Sequence, residues 1–225
     1  EDASSRYLLA CHGLRQPRGP QVRRVLERAF REYGLPWAIR TDNGSPFASV
    51  GLGGLSSLAV WWIKLGIIPE RIKPGHPEQN GRLERLHRTL KAETASPPQS
   101  TWHRQQPAFK DFRSSYNQER PHEALDQQPP SRRYSASVRP YPKRVDSPEY
   151  ESGTTVRRVR SNGEIKWQGQ LVYLSEALCG EPVGLTPQDE RFWTIRFGPL
   201  QIGLLDSYAN RTLHTPTLVL PMSPV

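Results

Sequence analysis

The sequence has no run of about 18 apolar residues, so no membrane-spanning helix is expected. It has only two cysteines, Cys11 and Cys179, far apart and outside any CxxC pair. That excludes a disulfide framework and a zinc knuckle as its organising device. No signal-peptide pattern opens the chain, so cytosolic placement is the default. No internal repeat is visible. The first residue is Glu1 rather than Met, and the chain reads as part of a longer reading frame. What remains is 225 residues, enough for one large domain or two small ones with a real core.

Charge is the first positive feature. Residues 1–146 hold 24 Lys and Arg against 14 Asp and Glu, whereas residues 147–225 hold 7 against 8. The whole excess of +9 therefore comes from the first part. Such a field attracts polyanions, nucleic acid above all; the bland alternative is a merely solvated basic surface.

Hydrophobic periodicity gives the order of elements. Tyr7 to Cys11 reads as a buried strand. "GPQVRRVLERAFREYGLP" places Val22, Leu26, Ala29, Phe30 and Tyr33 on one helical face and arginines on the other, with Gly34 as the stop. "WAIR" is a short strand into Asp42, "LSSLAVWWIKLGI" a helix, and "IIPERIKPGHP" a strand and turn. Trp61 and Trp62 suit packing better than base stacking. "EQNGRLERLHRTLKAET" and residues 101–118 read as two further helices. An α/β core therefore ends near residue 128, a proline-rich linker spans 129–150, and short alternating strands over 151–212 read as a small all-β barrel. Asn162-Gly163 is a hairpin signal there, and "RRVR" at Arg157 to Arg160 suits a phosphate contact or a solvated strand face equally. Residues 213–225 read as a disordered tail.

Two carboxylates stand out. Asp42 sits at a strand exit with Asn43 and Gly44 behind it. Glu84 opens a helix whose Leu83, Leu86 and Leu90 face inward, while Glu84, Arg88 and Lys91 share another stripe with His87 beside them. Carboxylates from two elements can share Mg²⁺, and the cations suit phosphate. On spacing alone the plain alternative stays open: a turn at Asp42 and a surface Glu84–Arg88 ion pair. Asn43 and Gly44 could be turn formers or let a phosphate approach. His76 and His87 lack the partner spacing of metal ligands.

"TDNGSPFAS" followed by "PGHPEQNGRLERLHRTLKAE" closely resembles the core of retroviral-type integrases and insertion-sequence transposases, and "YNQERPHEAL" from Tyr116 resembles their Tyr-Asn-x-x-Arg-Pro-His segment. The resemblance covers roughly residues 1–145. It implies a ribonuclease-H-like core, incomplete at its N-terminus, whose second and third catalytic acids are Asp42 and Glu84, ligands of Mg²⁺ (or Mn²⁺). It places Arg88, Lys91, Asn43, Gly44 and His87 on DNA, and implies metal-dependent phosphoryl transfer on element ends and target by a homo-oligomer. A bacterial cytoplasmic, nucleoid-associated setting follows, with no membrane and no small-molecule substrate. The first acid of the family's triad is expected upstream of "EDASSRY", and Asp2 reads as a strand-end residue rather than that acid. The alternative is a non-catalytic DNA-binding remnant of a decayed element; a glycosidase using the same two carboxylates is a weaker third option.

Overall fold

The computed structural model describes residues 1–73 and 75–213. Its elements run α1 (Gly19–Tyr33), β1 (Ala38–Thr41), α2 (Ser57–Lys64), β2 (Ile68–Arg71), α3 (Gly81–Thr94), α4 (Trp102–Gln118) and then strands β3 (Thr155–Arg158), β4 (Glu164–Trp167), β5 (Gln170–Tyr173), β6 (Pro182–Pro187), β7 (Phe192–Phe197), β8 (Leu200–Asp206) and β9 (Arg211–Leu213). They divide between two compact units that interleave in sequence. The first contains Glu1–Pro36 and Ile72–Tyr141; the second contains Trp37–Arg71 and the described residues from Pro142 to Leu213.

In the first unit α1 buries Val22, Ala29 and Phe30 and exposes its arginines, as its periodicity requires. Gly34 ends it at φ +79°, and its N–H reaches the Phe30 carbonyl at 3.0 Å. A Cβ there would lie 2.5 Å from the Ser137 carbonyl oxygen, so only glycine fits. Residues after 134 strap across this helix end: Ser137 N–H donates to the Tyr33 carbonyl at 2.8 Å, and Leu35 N–H donates to the Arg139 carbonyl at 2.7 Å. Tyr7 stacks on Tyr134 at 4.2 Å, and Tyr33 meets both rings edge-on. Leu8, Leu86, Phe112 and Tyr116 form the core between α3 and α4, with Cys11 and Leu90 packed against it. Leu83 lies outside this core at 36% exposure, so the expected apolar stripe of α3 is narrower than its spacing suggests.

Tyr7 to Cys11 does not form the expected strand. Leu8 is buried, but its backbone has no ladder partner. The Asn117 side-chain amide takes that place instead: Leu8 N–H donates to Asn117 Oδ1 at 2.8 Å and Asn117 Nδ2 donates to the Leu8 carbonyl at 3.1 Å. One amide thus satisfies both polar groups that burial would otherwise orphan.

In the second unit β1 and β2 pair in parallel, Ala38 opposite Ile68 through Thr41 opposite Arg71, with α2 as the crossover. Ser56 caps α2, accepting from Ala59 N–H. The helix is buried on all sides from Leu58 to Ile63, both tryptophans included, which is why its pattern carries no polar face. Its Ala59, Val60 and Ile63 share one core with Leu52, Leu55 and the inward residues of the β strands, among them Ile165, Val183, Leu185, Ile195, Phe197 and Leu205. Strands β3-β6-β7-β8-β9 form one antiparallel sheet, and β4-β5 a separate hairpin.

Asn162-Gly163 makes a turn, with Gly163 at φ +81°, but not a hairpin: β3 pairs with β6, not β4. The hairpin turn is Gln168-Gly169, where both residues have positive φ and close β4 onto β5. The proline-rich stretch is also not a free linker. Its first part belongs to the α1 strap, and Tyr150 pins its end to the sheet, its hydroxyl lying 3.0 Å from the Pro182 carbonyl and accepting from Gly198 N–H at 3.2 Å. Of the expected tail, Leu213 closes β9; residues 214–225 lie outside the described residues.

Candidate metal and nucleic-acid site

Asp42 follows the last residue of β1 and is exposed. Its strand is fixed from beneath by Arg40, whose Nε and terminal nitrogen donate to Glu70 Oε2 at 3.1 and 2.9 Å across the parallel pair. Gly44 N–H donates to Asp42 Oδ1 at 2.9 Å, so the turn reading is realised and the carboxylate is oriented by its own loop. Phe47 N–H then closes on the Gly44 carbonyl, and the Phe47 ring stacks on Trp62 at 6.2 Å. The Asp-Asn-Gly turn therefore stands on the buried helix α2.

Glu84 lies in the first turn of α3, exposed, with His87, Arg88 and Lys91 exposed on the same side. The surface Glu84–Arg88 ion pair does not form among the described residues. Partial desolvation, and then the Lys91 charge, lower the His87 pKa. A Cβ on Gly81 would meet nothing within 4 Å, so packing does not demand glycine at the start of this helix. The structure thus groups Asp42, Asn43 and Gly44 in one turn of the second unit, and Glu84, His87, Arg88 and Lys91 on one helix of the first.

Other residues fall on the structural side. Asp2 caps a turn: Ser4 Oγ, Ser5 N–H and Ser5 Oγ all donate to its Oδ2. Burial pushes its pKa up, but these bonds outweigh it and the carboxyl titrates below its ordinary value. The Tyr-Asn-x-x-Arg-Pro-His segment is a lock. Tyr116 packs between Phe112 and His122, Asn117 holds Leu8, and Arg120 pairs with Glu93 of α3. In "RRVR", Arg157 covers the Trp167 ring at 5.7 Å and Val159 is core.

The Integrase core domain family matches residues 65–130. The match is confined to that segment. It holds Glu84, its basic neighbours and the Tyr116 segment. Two curated relatives point the same way. The insertion element IS407 uncharacterized 31.7 kDa protein of Burkholderia multivorans is 32% identical over 114 residues, half of this chain. The insertion element IS476 uncharacterized 39.2 kDa protein of Xanthomonas euvesicatoria is 33% identical over 122 residues, 54% of this chain. The chain spans 39% and 33% of their lengths. The chain is thus similar to insertion-element proteins and, over residues 65–130, to the Integrase core domain family. A solved simian T-cell lymphotropic virus intasome, in complex with PP2A regulatory subunit B56 gamma, covers 86% of this chain at 17% identity and TM-score 0.44, with 66% of its own chain matched. Among the described residues, no helix is long and apolar enough to cross a membrane.

Integrase core domains generally use divalent metal ions. Among the described residues no group of three or more His, Cys, Asp and Glu side chains gathers for a metal. Asp42 and Glu84 each carry donor chemistry of the kind such ions take. Both are exposed carboxylates, hard oxygen ligands, and Mg²⁺ commonly takes one or two such groups and fills its shell with water and phosphate oxygens.

Proposed function

We propose that the chain is the catalytic-core and C-terminal portion of a transposase that performs metal-dependent phosphoryl transfer on DNA. The observation that carries this reading is the motif order. The Asp42-Asn43-Gly44 turn at a strand exit is followed by Glu84 three residues after Gly81, within a segment matching the integrase core. Asp42 and Glu84 hold Mg²⁺ or Mn²⁺. When bound, the ion supplies Lewis-acid stabilisation of the charge that develops at phosphorus and on the leaving oxygen.

The first reaction is hydrolysis at an element end. Water attacks phosphorus, the bond to the 3′-oxygen breaks, and the 3′-hydroxyl is released. In the second, that hydroxyl attacks a target phosphodiester, joining element to target and freeing a target 3′-hydroxyl. Arg88 and Lys91 clamp the DNA backbone electrostatically. His87 offers a ring N–H, and the Asn43-Gly44 turn, with no side chain at Gly44, lets a phosphate approach closely. A ribonuclease-H-like core, a small all-β barrel, and assembly of several copies on DNA complete the proposal.

The test uses the protein with a cognate element-end duplex. Asp42→Asn and Glu84→Gln are each expected to reduce Mg²⁺-dependent nicking by at least about 10³-fold, the scale of losing a main source of transition-state stabilisation. Duplex affinity should stay within about threefold, because neither side chain contributes positive charge. Full activity in either variant overturns the assignment.

A further inference from the structure

We propose that the exposed arginine face of α1 is a second docking surface, one that takes the phosphate backbone of duplex DNA without reading its sequence. This rests on the reading that DNA is the partner, but on residues outside the candidate metal site. Residues 3–26 contain Arg6, Arg15, Arg18, Arg23 and Arg24 and not one acidic residue. On α1, Arg24, Arg28 and Arg31 follow at i, i+4 and i+7, all exposed. A rise of about 1.5 Å per residue sets Arg24 and Arg28 roughly 6 Å apart along one face.

The acids of this helix are committed elsewhere. Glu27 pairs with Arg31 at 2.6 Å, and Glu32 lies 3.5 Å from Arg113. Among the described residues neither Arg24 nor Arg28 enters an ion pair. The buried face of α1 is complete without them, made by Val22, Ala29 and Phe30.

Arg18 at the helix start and the like-charged Arg24–Arg28 pair at i, i+4 oppose the local electrostatics. The first turn of α1 has no acidic residue, and Arg18 is its N-cap residue, with Arg23 and Arg24 soon after. Positive charge near the positive end of a helix dipole is unfavourable, and crowded like charges repel. A polyanion laid along this face relieves both. Arginine suits such a surface, because its planar fork bonds two phosphate oxygens at once and loses little hydration. Such contacts position a duplex without specifying bases.

The experiment measures binding of a random-sequence duplex by fluorescence anisotropy between about 50 and 200 mM salt. Arg24→Ala/Arg28→Ala should reduce the slope of log affinity against log salt by about two and weaken binding at least about tenfold at the lowest salt. Arg24→Lys/Arg28→Lys should keep the slope. Lys143→Ala/Arg144→Ala, removing equal charge from the second unit, should also keep it. Thermal melting controls for folding; if the double alanine variant melts early, Arg28→Gln alone decides, with a slope reduced by about one. An unchanged slope in the α1 variants, or an equal loss in the Lys143 and Arg144 variant, overturns the surface and leaves the metal-site reading intact. A wild-type chain that binds no duplex overturns both this surface and the DNA partner.

Discussion

Single side chains carry much of the local order. Asp206 at the end of β8 is buried and accepts from Arg191 Nε at 3.0 Å and its terminal nitrogen at 2.7 Å, and also from the Tyr208 and Ala209 N–H groups. Above all the Arg191 bonds hold its pKa down at about 2. A depressed carboxylate pKa contributes stability that is present above the unfolded value, near 4, and is lost as pH falls through the folded one. Urea midpoints of the wild-type chain should therefore drop between about pH 4 and pH 2. Asp206→Asn should flatten that limb, and an equally steep limb in the variant contradicts the assignment. Nothing in the spacing of Arg191 and Asp206 announced this pair, because they meet only once β7 and β8 are in register. The turn at Asp42 was legible, since it is built from adjacent residues.

At the level of elements, the segment after Tyr7 and helix α4 depend on one another. Asn117 is 2% exposed and bonds both backbone polar groups of Leu8. Asn117→Leu leaves a buried N–H and a buried carbonyl unpaired, each costing roughly 1–3 kcal/mol. A loss of about 2–4 kcal/mol in denaturant unfolding is expected, with Asn117→Asp intermediate because it keeps the acceptor. A loss below about 0.5 kcal/mol, the size of an ordinary surface substitution, contradicts the lock. The sequence showed an apolar run at Tyr7 to Cys11 and suggested a strand. It could not show that an asparagine more than a hundred residues away replaces the neighbouring strand. Helices α1 to α4 were legible because 3.6-residue periodicity and local stops such as Gly34 specify them. The β4-β5 turn was missed because Gln168 is an unusual residue at positive φ, while Asn162-Gly163 matched the stronger signal.

For the whole molecule, the sequence suggested a core followed by a barrel. The second unit instead draws Trp37–Arg71 and the β strands into one core, where Leu52 lies against Gly203 closely enough to exclude a Cβ there. Chain order is a poor guide here, because the apolar surface of α2 is satisfied by strands more than ninety residues later. The carboxylate turn is thereby anchored to a large hydrophobic core, while Glu84 rises from the α3-α4 pair. The central claim is that these two carboxylates serve one divalent ion. Its most direct test is calorimetric titration of Mn²⁺ into the protein bearing Asp42→Asn, Glu84→Gln, or both. Ligands of one ion are coupled, so each single change should weaken the same binding event by about tenfold or more, and the double variant should fall well short of the summed losses. Additive losses, or Mn²⁺ affinity unchanged in either single variant, would contradict it.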